Sequence, residues 1–135
     1  MQYMRAPSPP ANRNRRRLVV AALAAWCARA AALSATDTAR VERLIEHVGA
    51  QAGIRFVRNG EEFDAPSAAR HLRMKLERAG ERVRTVDEFI DGVASRSWLS
   101  GRPYLVRLPD GRELQAADWL RGELRRIEAG KVGAR

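Results

Sequence analysis

The sequence predicts a small single α+β domain, in the order α-ββ-α-α-ββ-α, with two hairpins packed against helices. Three observations predict it. Asn59-Gly60 and Pro109-Asp110-Gly111 each interrupt a short alternating stretch with residues that fit tight turns. Apolar residues recur at helical spacing before, between and after those two stretches. Behind an N-terminal leader there remain about 100 residues, enough for one modest core.

The leader is residues 1–35. A basic cluster at residues 12–17 is followed by an apolar run at residues 18–28, then by the small residues Ala30-Ala31-Ala32 and by Leu33-Ser34-Ala35. That is the order of a secretory signal. A periplasmic or secreted location is therefore expected, with cleavage near Ala35 and Ala32 as the alternative. The apolar run falls short of the roughly 20 residues that span a bilayer, and Arg29 follows it at once, which weighs against an N-terminal anchor. No stable membrane span is expected after cleavage. Cys27 follows Trp26 rather than the small residue a lipoprotein signal wants. Arg15-Arg16 weakly resembles a twin-arginine signal, and ordinary export fits better.

From residue 36 onward the elements follow in order, as one domain over residues 36–129. Asp37 or Thr38 is placed to cap a first helix. Val41, Leu44, Ile45 and Val48 make its apolar stripe, and Gly49 and Gly53 end it. His47 borders that stripe and reads as a partly exposed surface histidine. Residues 54–58 alternate, with Ile54, Phe56 and Arg58 on one side. Asn59-Gly60 supplies the positive φ of a two-residue turn, and residues 61–63 return antiparallel. A second helix is expected over residues 66–79, with Pro66 in its first turn and Gly80 at its end. Ala69, Leu72, Leu76 and Ala79 form its buried face, and His71, Lys75 and Arg78 line one edge.

Thr85 and Glu88 have capping-box spacing. They open a third helix whose core face is Val86, Phe89, Ile90, Val93 and Ala94. Glu88, Asp91 and Ser95 run beside that face as an acidic edge, placed to pair with the basic edge of the second helix. Exposed pairs of this kind contribute only about 0–1 kcal/mol. Residues 95–101 form a serine-rich loop around Trp98, which is either a lid on the core or an exposed contact. A second hairpin takes residues 104–108 and 112–114. The last helix, residues 116–129, buries Ala116, Trp119, Leu120, Leu124 and Ile127. Residues 130–135 read as a disordered tail.

An internal echo runs through this order. Residues 68–78 match residues 116–126 in six of eleven places, and Val57-Arg58 and Val106-Arg107 precede them in equivalent strands. Two readings stand: a pair of ββα halves about a rough twofold, or an Ala-, Leu- and Arg-rich chain matching itself by composition. In either case His71 falls where the other stretch has Trp119, at the border of the core, which favours packing over catalysis for His71.

The net charge of +9 invites a nucleic-acid reading until it is divided. Residues 1–35 hold six arginines and no acid. That leaves 19 of the 25 Lys and Arg against all 16 Asp and Glu, a net of +3. Nucleic acid is therefore not an expected partner. The lone cysteine, Cys27, lies in the leader, so a mature domain has no disulfide, thiol nucleophile or thiolate metal site. Two distant histidines do not supply the three or so ligands of a catalytic metal, so no metal or cofactor is expected.

Two functional classes remain. A small hydrolase would use His71 as base, Ser95 or Ser97 as nucleophile and Asp91 to orient the imidazole. No nucleophile-elbow motif supports it. Glu61 or Glu62 with Asp91 would make a carboxylate pair, but those glutamates beside a turn read better as solvated edge charge. The sequence favours the other class, a non-catalytic binding or accessory protein of the cell envelope. Arg58, Asn59, Lys75, Trp98, Arg102 and Tyr104 are its candidate binding residues. Arginine gives bidentate contacts to carboxylate or phosphate and aromatics supply contact area. The partner would be an anionic envelope component or a protein.

Four strings in one order carry a family resemblance. They are Phe56-Val57-Arg58-Asn59-Gly60, His71-Leu72-Arg73-Met74-Lys75-Leu76, Phe89-Ile90-Asp91-Gly92-Val93-Ala94-Ser95 and Ser100-Gly101-Arg102-Pro103-Tyr104. Together they resemble the YfeK-like family, small exported bacterial proteins with a domain of unknown function. The resemblance covers about residues 37–127. It implies a periplasmic location and a single small domain, and it implies no activity. Some members carry cysteine near the first hairpin; this chain has none there, so a thiol role does not carry over.

Overall fold

The computed structural model describes residues 32–133. The basic cluster, the apolar run and Cys27 lie outside the described residues, as do the last two residues of the expected tail.

Helix α1 (Ala35–Gly49) begins one turn earlier than Asp37 or Thr38 would place it. Its cap is Ser34, whose hydroxyl accepts the Asp37 backbone N–H at 3.1 Å. Asp37 instead sits in the first turn, where a carboxylate suits the positive end of the helix dipole. Val41, Leu44, Ile45 and Val48 are completely buried, each adding about 1.5–3 kcal/mol of apolar transfer. Near its end α1 closes tightly on the next helix: a Cβ on Gly49 would come within 3.1 Å of the Ala69 Cβ.

Strands β1 (Arg55–Arg58) and β2 (Glu61–Phe63) form the first hairpin. Asn59 and Gly60 take φ of 49° and 86°, the left-handed pair that a two-residue turn requires. Helix α2 (Ala65–Ala79) starts where Asp64 accepts the Ser67 N–H at 2.9 Å, and it ends at Gly80 with φ of 52°. A single 3-10 turn, Gly80–Arg82, leads to Thr85. The Thr85 hydroxyl accepts the Glu88 N–H at 3.1 Å. The reciprocal bond departs from the expected box, because the Glu88 carboxylate takes the N–H of Arg84 rather than that of Thr85. The third helix, α3 (Val86–Glu88), is short and widens into a π-helical segment, Phe89–Ala94. Val86, Phe89, Ile90, Val93 and Ala94 are all buried as expected. The Ser95 hydroxyl donates to the Ile90 carbonyl at the same five-residue spacing.

Strands β3 (Leu105–Arg107) and β4 (Glu113–Gln115) make the second hairpin, closed by Gly111 N–H on the Leu108 carbonyl at 2.9 Å. Helix α4 (Ala116–Val132) runs past the expected end at Ala129. The two hairpins join through β1 and β3 into one antiparallel sheet of order β2-β1-β3-β4, with Phe56 opposite Val106. The β1–β3 seam is where a twofold relating two ββα halves would pass. Phe56 and Val106 face the helices, and Trp119 meets Phe56 edge-on with ring centroids 5.5 Å apart. On the outer face Arg107 pairs with Glu62 and Glu113.

Candidate functional site

Helix α2 reaches the sheet with one surprise on its inner side. The expected buried face put Leu76 inside and Lys75 on a solvated edge; Lys75 is instead 3% exposed and Leu76 half-buried. The cause is the loop that follows the π-helical segment. Residues 95–104 fold back on themselves: Arg96 bridges Pro103, and the Tyr104 N–H donates to the Ser95 carbonyl at 2.7 Å. This closed loop lays Trp98 over the end of α2. The Trp98 indole N–H donates to the Gly92 carbonyl at 2.8 Å, which fixes the ring's orientation.

Lys75 is held between two aromatic faces. Its Nζ lies 4.6 Å from the Trp98 ring centre and 4.8 Å from that of Tyr104, within range of cation–π attraction. The ammonium donates to the Arg96 carbonyl at 2.6 Å and lies 3.4 Å from the Tyr104 hydroxyl. Burial, and the Arg58 guanidinium beside it, push the Lys75 pKa down to about 8. Burial also raises the Tyr104 phenol above its ordinary value. Trp98, about half exposed, is therefore a lid on Lys75 rather than a lid on the apolar core.

His71 stands one turn before Lys75. Its ring leans on Tyr104 at 6.2 Å, and its buried Nε2 has no hydrogen-bond partner. Desolvation, then the charges of Arg58, Lys75 and Arg78, push its pKa down to about 4. The imidazole is neutral at physiological pH, which agrees with a place at the border of the core.

These side chains wall an open cleft of about 320 Å³ between α2, the β1–β2 turn and the Trp98 loop. Of the six residues expected to bind, the structure gathers Arg58, Asn59, Lys75, Trp98 and Tyr104 on this cleft. Arg102 is the exception. It is exposed and does not line the cleft; its backbone closes the loop through the Ser97 N–H. The Ser100 hydroxyl donates to Asn59 Oδ1 at 2.9 Å, tying the turn to the loop across the cleft. His71, Arg78 and Met74 complete much of the wall, and Glu61 is the acid on it.

Of the hydrolase candidates, His71 and Ser97 share the wall of this cleft, and the others are not brought to them. Asp91 pairs with Arg121, Ser95 is committed to the Ile90 carbonyl, and neither lines the cleft that holds His71. The same contacts remove the expected pairing of acidic and basic helix edges, since Glu88 turns to Arg84. One cluster went unread in the sequence. Glu123, only 5% exposed, accepts from Arg126 at 2.7 Å, and its other oxygen lies 2.6 Å from His47 Nε2. The i, i+3 spacing of Glu123 and Arg126 was visible; the link to His47, from the first helix, was not.

The fold and cleft define a small α+β domain with a cationic, aromatic-lidded depression at the meeting of helix, hairpin and loop. Comparison with known proteins places it. The chain belongs to a family of unknown function (DUF5329), whose model matches residues 35–128. It is 37% identical over 82 residues to the uncharacterized protein YfeK of Salmonella typhimurium strain LT2. That match covers 61% of this chain and 65% of the relative's length. No solved structure matches. Among the described residues, no helix is long and apolar enough to cross a membrane.

Proposed function

We propose that the chain is an exported, non-catalytic binding protein of the cell envelope, and that the Lys75 cleft holds an anionic ligand. One observation carries this reading. Arg58, Lys75 and Arg78 line a single cleft, and among the described residues none of the three forms an ion pair. Elsewhere Arg40, Arg107, Arg121 and Arg126 each meet a carboxylate; other arginines unpaired among the described residues, such as Arg55, Arg70 and Arg102, are exposed and do not line this cleft. A bound anion supplies the missing counter-charge, through charge-assisted hydrogen bonds that a neutral ligand could not match. The non-catalytic part rests on Asp91 and Ser95 lying off the cleft, which leaves His71 and Ser97 there without Asp91 to orient the imidazole.

Export rests on the leader's composition. The fold bears on where the leader is cut: removal after Ala35 would take away Ser34, the cap of α1, whereas removal after Ala32 leaves it. Cleavage after Ala32 is the better fit. N-terminal sequencing of protein released by osmotic shock checks both the location and the cut. Full-length protein retained in the cytosol would end the export reading.

The cleft is tested by following Trp98 fluorescence during titration with inorganic phosphate and citrate at low salt. Saturable binding is expected, weakened about tenfold or more by Arg58→Ala or Lys75→Met. Trp98→Phe identifies the signal. Identical titrations for wild type and Lys75→Met would end the anion reading.

A further inference from the structure

Beside the cationic cleft lies a second, apolar hollow. Phe56, Phe63, Ala68, Leu72, Ala116 and Leu120 wall it, between the sheet and helices α2 and α4. Its volume is about 30 Å³, room for roughly two or three methylene-sized groups when set against the space one water needs. The two spaces share one wall. Arg58, His71 and Tyr104 line both. The Arg58 guanidinium, 4.1 Å from the Phe63 ring centre, stands where the apolar wall gives way to the charged one. In that shared wall sits the His71 Nε2 that no protein group satisfies.

We infer that the ligand is a short-chain amphipathic carboxylate, its head at Arg58 and Lys75 and its tail in the apolar hollow. This rests on the anion reading above and narrows it. An ion without a tail would leave the hollow empty, and an uncharged hydrophobe would leave the cations unanswered. A carboxylate loses less hydration at the mouth of an apolar space than a phosphate dianion does. The planar fork of arginine matches its two oxygens. The hollow's size limits the tail to a few carbons. The head group brings polar atoms to the wall where His71 lacks a partner.

The test is a chain-length series on the purified full chain: acetate, butyrate, hexanoate and decanoate, with inorganic phosphate in parallel, measured by calorimetry. Affinity is expected to rise about fourfold per methylene at first, to peak near butyrate, and to fall for decanoate. Arg58→Ala should weaken every member. Ala68→Leu, which fills the hollow, should flatten the series and leave acetate in place. The series needs no variant, so a misfolded Ala68→Leu does not spare the inference. Equal affinities for acetate, phosphate and hexanoate, all lost in Arg58→Ala, would overturn the tail and leave the anion cleft standing. Binding of phosphate but of no carboxylate would overturn the inference alone; no binding of any anion, phosphate included, or a chain-length rise indifferent to Arg58→Ala, would overturn both.

Discussion

His47 and His71 both stand half-buried on helices that face one core. They differ in what surrounds them. His47 Nε2 meets a carboxylate, Glu123, which is itself held by Arg126. Gln51 braces the arrangement by donating to the His47 carbonyl at 3.1 Å. His71 has an unpartnered Nε2 and three cations about it, Arg58, Lys75 and Arg78. The first is a closed polar cluster that links α1 to α4. The second is an open one, where charge and hydrogen-bonding capacity are left over. Paired groups of the first kind serve the fold. Leftover groups of the second kind weaken it unless something binds, and they mark sites.

The largest effect that would break this contrast lies on the His47 side. Glu123→Ala should destabilise the domain by about 1–2 kcal/mol, because it opens space beside α1 and strips the half-buried His47 of its partner, while the mostly exposed Arg126 loses little. Urea unfolding measures it. A loss under about 1 kcal/mol would mean that the cluster is surface decoration and the contrast false. On the His71 side the sign should reverse. His71→Leu removes a buried nitrogen without a partner and keeps an apolar side chain against Tyr104, so stability should rise by about 1 kcal/mol. Lys75→Met keeps the packing between the two rings and relieves the buried charge but gives up the bond to the Arg96 carbonyl, so it should cost no more than about 1 kcal/mol, while anion binding falls. Destabilisation by His71→Leu, together with a loss above about 2 kcal/mol for Lys75→Met, would show that the cleft residues are structural.

Acid sharpens the same contrast. The His71 pKa is about 4 in the folded chain against an ordinary 6.5. Above pH 6.5 the imidazole is neutral in both states and its titration adds no pH dependence. As pH falls from 6.5 towards 4 the unfolded chain takes up a proton that the folded chain refuses, so stability drops across that window. His71→Leu should remove that part of the slope and leave the rest. For Lys75, at about 8 against 10.5, the unfolded chain holds the proton longer as pH rises. Stability should therefore increase between pH 8 and 10.5. Bound anion at Lys75 would raise its pKa and shrink that gain.

How much of this was legible beforehand follows from the range over which each signal acts. Turns and caps are local, so Asn59-Gly60, Gly80 and Thr85 placed the hairpin and the helix ends, and the apolar stripes of α1 and α3 filled the core they promised. Errors of a residue or a turn came where two capping side chains competed, as at Ser34 and Asp37. Lys75 is the instructive miss. Helical spacing put it on the edge of α2, and a lysine at an edge is ordinarily solvated. Its burial depends on Trp98, 23 positions later, folding back upon it. Periodicity contains no such term. The widening of α3 into a π-helical segment was equally hidden, yet it sets where that loop begins. Five of the expected binding residues met because each flanks the same meeting of turn, helix and loop. Asp91 and Ser95 left the hydrolase set because nearer partners, Arg121 and the Ile90 carbonyl, took them first, while Ser97 stayed on the cleft with His71.

The smallest expected effect is the sharpest on the boundary of the cleft. Arg102 carries the same charge as Arg58, and the sequence offers no ground for separating them. The structure does: Arg58 lines both spaces, while the Arg102 side chain is exposed and its structural contacts run through its backbone, to Ser97 and Ser100. Substitution to alanine spares those backbone bonds. Arg102→Ala should then change stability by no more than about 0.5 kcal/mol and anion affinity by less than about twofold at 0.15 M salt, where charges beyond roughly 8 Å are screened. At low salt a modest loss is consistent with a remote charge. A tenfold loss at 0.15 M, equal to that of Arg58→Ala, would mean that the ligand reaches across the loop. The site would then be a broad basic face rather than a cleft.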